Sequence, residues 1–277
     1  AVAFLIAFII GYSVQIIGTL ASEQDFGVRE TYFNVGSDVS VELRSPINAS
    51  KIMETIRNNA SQQVESLTTE YTFWGSTGLE TFARSSMQLR AVDPITWPLT
   101  AHYETDLFSG NSFETAFQLL ASNNHTIILE RNYAKALDKK VGDNITLAFD
   151  AQTEELTIVG FFGIESPATP TYISEFFFSR QYWSYVPEGL FRELREKVLT
   201  SSSAKILIKV KSGVDSEAVA EQIRGLLEQD ADVGSVYSVA EQLKQRQSNY
   251  IVTGSLNILR LGVIFIVMAA SVGTALV

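Results

Sequence analysis

The sequence predicts an α+β fold, a split ferredoxin-like subdomain interrupted by an inserted β-rich α/β subdomain and flanked by two transmembrane helices. Three observations carry this. Apolar runs occupy both ends, residues 1–20 and 258–277. Two stretches, 39–74 and 205–239, each read as strand, helix, strand, the order of a β-α-β unit. The residues between them follow a different pattern, with a hairpin and an aromatic stretch. The resulting division is a first span over 1–21, a β-α-β subdomain in two halves over 22–99 and 200–239, an insertion over 100–199, a stalk helix over 240–257 and a second span over 258–277.

Each terminal run matches the ~20 residues that cross a ~30 Å hydrocarbon core. Arg260 is the only charge in either, at a rim where a long side chain can snorkel. A signal peptide is the competing reading of the first run, but no basic segment precedes it, and a chain starting at Ala1 reads as a piece of something longer. A buried core helix competes at the other end. Residues 261–277 are apolar or small on every face, whereas a surface helix would carry a polar stripe. Two spans return the chain to its starting side, so the middle is expected to lie across the membrane.

In the front unit Val39, Val41 and Leu43 alternate with Ser40, Glu42 and Arg44, Pro46 ends the strand, and Ile52, Met53 and Ile56 follow at helical spacing. A strand over 64–74 comes next. In the insertion, 126–129 reads as a strand and 131–139 as a helix; 140–143 is its exit turn, where Gly142 supplies the positive φ a helix end often needs. Ile145, Leu147 and Phe149 then alternate with Thr146 and Ala148, 150–155 turns the chain, and 156–162 returns as a hairpin. A helix begins near Pro187, with Leu190 or Phe191, Leu194 and Val198 on one face. In the back unit Ile206, Ile208 and Val210 alternate with Lys205, Lys209 and Lys211. Asp215 can cap a helix whose Val219, Ile223, Leu226 and Leu227 form its apolar face, and a strand over 233–239 follows. Residues 240–257 are polar and helix-prone and lead into the second apolar run.

Composition removes several function classes. The chain has no cysteine, so neither a disulfide framework nor a thiolate metal or redox site is available. A net charge of −10 argues against nucleic acid and anionic head groups as partners, because both attract basic surfaces. Four Asn-x-Ser/Thr sequons, at Asn48, Asn59, Asn124 and Asn144, favour an extracytoplasmic surface open to N-glycosylation, which suits an archaeon better than a Gram-negative periplasm.

The order of motifs carries a family resemblance. Ile127-Ile128-Leu129-Glu130, Ala134, Leu137, Val141-Gly142-Asp143, Ile145-Thr146-Leu147 and Leu156-Thr157-Ile158-Val159-Gly160-Phe161-Phe162 resemble the signature of the extracytoplasmic core domain of FtsX/MacB-type ABC transporter permeases. Ala91-Val92-Asp93-Pro94 resembles that family's strand end, and Lys209-Val210-Lys211-Ser212-Gly213-Val214-Asp215 the element before its second β-α-β helix. Arg131, Ala91 and the aromatic stretch 176–185 depart from the pattern. The resemblance implies a porter-like subdomain, location in the cell membrane with the central domain outside, and a second permease subunit as partner. It also implies a separate cytoplasmic ABC ATPase, contact with membrane lipid, and a role in export, lipid or lipoprotein handling, or mechanotransmission. No phosphate-binding loop occurs in the chain, in keeping with ATP hydrolysis elsewhere.

A search for catalytic groups ends without a constellation. Only His102 and His125 are present, with no His-Glu-x-x-His and no Gly-x-Ser-x-Gly, and the acidic residues are scattered. No catalytic, metal or cofactor residue is assigned, although a paired-carboxylate site stays open. Phe176, Phe177, Phe178, Tyr182, Trp183 and Tyr185 read either as an apolar surface for a partner or cargo or as core of the insertion. The alternative to a permease is the ligand-sensing domain of a two-span receptor. A receptor would continue past Val277 into a signalling segment, a permease into two more spans.

Overall fold

Alternation of apolar and polar residues sets β1 (Val39–Leu43) and β9 (Ser203–Val210) against each other as antiparallel strands, with Val39 opposite Ile208 and Val41 opposite Ile206. All four side chains are fully buried. The computed structural model describes residues 2–77, 85–149, 152–164, 183–198 and 202–248. The chain forms two units, one of residues 1–35 with 238–277 and one of residues 36–237.

The larger unit is built on a ten-stranded mixed sheet in the order β10-β1-β9-β2-β3-β8-β5-β7-β4, with β6 pairing β2 and β7. The remaining strands are β2 (Val64–Thr77), β3 (Ser85–Val92), β4 (Phe108–Ser109), β5 (Thr126–Glu130), β6 (Asn144–Phe149), β7 (Gln152–Phe162), β8 (Ser184–Pro187) and β10 (Val233–Ser238). Strands from the expected insertion hydrogen-bond directly to strands from outside it. β8 runs parallel to β3, pairing Leu89 with Ser184, and β6 pairs the end of β2 at Ser76 and Thr77. The expected hairpin forms as β6 against β7, but pairing continues out to Phe149 opposite Gln152, so the second strand starts four residues earlier than alternation alone implied.

Helices cover both faces of this sheet. α2 (Ala49–Ala60) buries Ile52 and Ile56 as its spacing demands, and Met53 packs at the margin. α3 is one turn, Trp97–Thr100. α4 (Phe113–Ser122) was not among the expected elements, yet Ser112 caps it by accepting from the Thr115 N–H and it buries Phe113, Ala116, Phe117 and Leu120. It lies close on β7: a Cβ at Gly160 would meet the Ala116 Cβ at 3.3 Å.

α5 (Arg131–Ala136) ends three residues before the expected boundary. The residue that takes positive φ at its end is Asp138, at 48°, a conformation a short polar side chain tolerates. Gly142, at 94°, instead shapes the entry to β6, where its N–H donates to the Ile158 carbonyl and the Lys140 N–H donates to Asp143 Oδ2. α6 (Glu188–Val198) follows β8 directly and buries Leu190, Phe191 and Leu194. α7 (Ser216–Leu227) is capped by Asp215, whose carboxylate accepts from the Glu217 N–H, and it buries Val219, Ile223 and Leu227. Leu226, expected on that face, is 37% exposed, because it lies at the edge of the apolar arc.

The smaller unit contains α1 (Val2–Val35), of 34 residues, and α8 (Val239–Ser248). These helices are joined by an ion pair in which Arg246 Nη1 lies 2.7 Å from Glu30 Oε2. Among the described residues no helix is long and apolar enough to cross a membrane. Most side chains of residues 2–20 fall outside the description, as do all of 249–277, so the expected span over 258–277 and the rest of the expected stalk lie there.

Candidate functional site

The two faces of the sheet are chemically different, and the polar groups that could do work concentrate on one of them. On β2 the side chains of Tyr71 and Phe73 enter the main apolar cluster, so Glu70 points the other way. β3 places Arg90 beside it. The Arg90 Nη1 to Glu70 Oε1 distance is 2.8 Å, with side-chain exposures of 17% and 4%. Trp97 at the start of α3 donates its indole N–H to Glu70 Oε2 at 3.1 Å. The Arg90 guanidinium carbon lies 3.1 Å from the centre of the Trp183 ring. A buried carboxylate thus meets a guanidinium and an indole N–H, and the guanidinium is stacked on a second indole.

Rings complete this face. Trp97 stacks on Phe117, Tyr103 stacks on Phe113, and Tyr185 sits edge-on to both Trp97 and Phe162. Burial pushes the Tyr185 hydroxyl well above the ordinary tyrosine value; Arg90 opposes the shift and Glu70 adds to it. Charges here are compensated and the phenol is locked in its neutral form, so the arrangement suits rigidity rather than proton transfer.

Trp183 and Tyr185, read from sequence as partner surface or core, are both buried, at 6% and 2% exposure. At these two positions the rings belong to the core described above. Phe176, Phe177, Phe178 and Tyr182 lie outside the described residues. Among the sequons, Asn59, Asn124 and Asn144 are exposed and Asn48 is half-buried. The Asn48 amide donates to Asp232, that of Asn59 to the Thr55 carbonyl, and that of Asn124 to Glu193, while Asn144 Oδ1 accepts from the Thr157 hydroxyl. They are spread over α2 and over the starts of α2, β5 and β6 and converge on no single site. Among the described residues no group of three His, Cys, Asp or Glu stands ready to hold a metal.

What the sequence reading missed is the Glu70–Arg90 pair. Nothing in the local pattern brings together two residues twenty positions apart; only the register of β2 on β3, with Thr72 opposite Arg90, does so. A second unforeseen feature is a cleft of about 360 Å³ beside α6, lined by Ile47, Ser50, Tyr71, Phe191, Arg192 and Arg195 among others.

The profile of the MacB-like periplasmic core domain matches residues 1–226. Among solved structures, the periplasmic region of MacB from Actinobacillus actinomycetemcomitans is 14% identical with a TM-score of 0.41, covering 77% of this chain and 94% of that one. The extracellular domain of the noncanonic ABC-type transporter YknZ from Gram-positive bacteria is 10% identical with a TM-score of 0.44, covering 72% of this chain and 98% of that one. No curated protein matches the chain. By the profile match, which spans well over half its length, the chain belongs to the family of MacB-like periplasmic core domains, the extracytoplasmic domain of MacB/FtsX-type permeases.

Proposed function

We propose that the chain is part of a non-enzymatic ABC transporter permease subunit whose extracytoplasmic domain is moved by a separate cytoplasmic ATPase, in a pair with a second permease subunit. The observation that carries this is the family profile matched from residue 1 to residue 226, across the first apolar helix and most of the larger unit. In this reading residues 1–21 and 258–277 are the first two spans, in contact with lipid, and α8 begins the stalk over 240–257. The apolar run of residues 1–20 in the sequence supports it, since it matches the ~20 residues that a span needs. The strand order β10-β1-β9-β2, with α2 and α7 as the connecting helices, supports a split ferredoxin-like, porter-like subdomain over 22–99 and 200–239, into which 100–199 is inserted. The exposed Asn59, Asn124 and Asn144 are then candidate glycan sites on an outward-facing surface.

Such a domain works by moving as a stiff body, and the buried Glu70–Arg90–Trp97 network supplies stiffness. The test uses the full permease purified with its ATPase. These 277 residues contain no cysteine, so Ser248→Cys on the exposed side of α8, with any cysteines in the rest of the permease and in the ATPase replaced, gives a single spin-label site per permease copy. ATP is expected to shift the distance between labels on paired copies by several ångströms. An unchanged distance in a preparation that hydrolyses ATP would overturn the proposal, as would a gene that continues past Val277 into a signalling domain.

A further inference from the structure

In a chain of net charge −10, a cleft lined by two guanidiniums and no carboxylate calls for an explanation. It lies between the segment 46–50 and α6, where Arg192 and Arg195 sit three residues apart and so share one helix face. Glu188 holds Arg192 in place, with Nε at 3.1 Å and Nη2 at 2.8 Å from the same carboxylate oxygen. That pairing occupies one edge of the guanidinium and leaves Nη1 for another acceptor. Among the described residues Arg195 makes no ion pair.

The other walls supply hydroxyls and apolar surface. Ser50 stands in the first turn of α2, a twelve-residue helix with no side-chain cap bond and no acid in that turn. Tyr71 lines the cleft with a hydroxyl whose ionisation is suppressed, mainly by burial and then by Glu188, so it remains a donor. Its ring stacks on Phe191 with centroids 4.4 Å apart, and Ile47 at the rim is 65% exposed although apolar. Cationic and hydroxyl donors together with stacked rings and an exposed isoleucine in one lining describe a receptor for a molecule with both properties. The volume lies in the ~300–1,000 Å³ range of small-ligand clefts.

We infer that this cleft binds a phosphate-headed amphiphile, with the head between Arg192, Arg195, Ser50 and Tyr71 and a short apolar tail along Phe191 and Ile47. Phosphate suits the donor set better than carboxylate, because its tetrahedral oxygens can accept from several directions at once. The site is a property of the larger unit and stands whether or not the chain works in a permease.

Binding of radiolabelled hexyl phosphate to the full chain in phosphatidylcholine nanodiscs, with empty discs subtracted, tests it. One molecule per chain is expected, at least tenfold tighter than inorganic phosphate or hexanol. Arg195→Gln is expected to weaken binding at least tenfold with an unchanged melting temperature, since Arg195 is exposed, and Arg195→Lys to restore part of it. Competition by nanodiscs containing phosphatidic acid would identify a membrane lipid as the source of the head group, and its absence a free alkyl phosphate; either supports the site. Equal binding of hexanol or of inorganic phosphate, or an Arg195→Gln chain that binds as well as the parent, would overturn it.

Discussion

The two faces of the central sheet solve burial in different ways. One carries a mainly aliphatic cluster that runs from Val39 and Ile208 through Leu89 to Leu156 and Ile158, covered by α2, α6 and α7. The other, under α3 and α4, carries stacked rings and a charge pair: Trp97, Phe117, Phe162 and Tyr185 around Glu70 and Arg90. Aliphatic packing is non-directional, so its cost of damage scales with the volume removed. A buried ion pair is directional and conditional, because each charge is tolerable only while its partner remains. The first face tolerates graded change; the second fails abruptly.

The largest test of that difference is Arg90→Met. It leaves Glu70 buried without its counter-charge and is expected to cost about 3–5 kcal/mol in denaturant unfolding. The double variant Glu70→Gln with Arg90→Met is expected to recover most of this, because a neutral amide still accepts from the Trp97 indole. A double variant no more stable than the single one would mean that the pair stabilises outright and that the contrast between the faces is wrong.

On the aliphatic face, Ile208→Ala is expected to cost about 2–5 kcal/mol and Ile208→Val about 0.5–1.5 kcal/mol, a graded series with no rescue available from a partner. Comparable losses for Val and Ala would show that this face, too, depends on specific geometry.

The smallest effect concerns the ringed face at high pH. Tyr185 has its folded pKa raised above the ordinary 10.0, so the folded state holds its proton where the unfolded state releases it. Its contribution is complete below pH 10.0 and is lost progressively as pH rises beyond that value. Tyr185→Phe is therefore expected to flatten the alkaline decline in melting temperature above pH 10.0 while leaving the neutral range nearly unchanged. An identical alkaline limb in the variant would remove Tyr185 from the account.

Legibility divided along the same line. The aliphatic face could be read from one-dimensional pattern: Val39, Val41 and Leu43, then Ile206 and Ile208, alternate as half-buried strands must, and Val219, Ile223 and Leu227 recur at helical spacing. The hairpin of β6 and β7 and the cap at Asp215 were legible for the same reason. α4 was missed even though Ser112, Phe113, Ala116, Phe117 and Leu120 form a capped helical stripe, a signal masked by the surrounding rings. The exit of α5 was placed at Gly142 because glycine is the commonest residue at positive φ, whereas Asp138 takes that conformation four residues earlier.

By itself the sequence determined the strand and helix pattern of the two β-α-β stretches, the hairpin, the lack of thiol chemistry and the motif order that leads to the family. These are local or compositional properties, visible wherever side-chain period reports burial. Tertiary structure alone decided that strands of residues 100–199 share one sheet with strands outside that stretch, that Trp183 and Tyr185 face inward, and that Glu70 meets Arg90. It also decided that Arg192 and Arg195 face a cleft with Tyr71. Each of these depends on strand register or on the meeting of distant segments, and period along a chain carries no information about which distant residue will stand opposite.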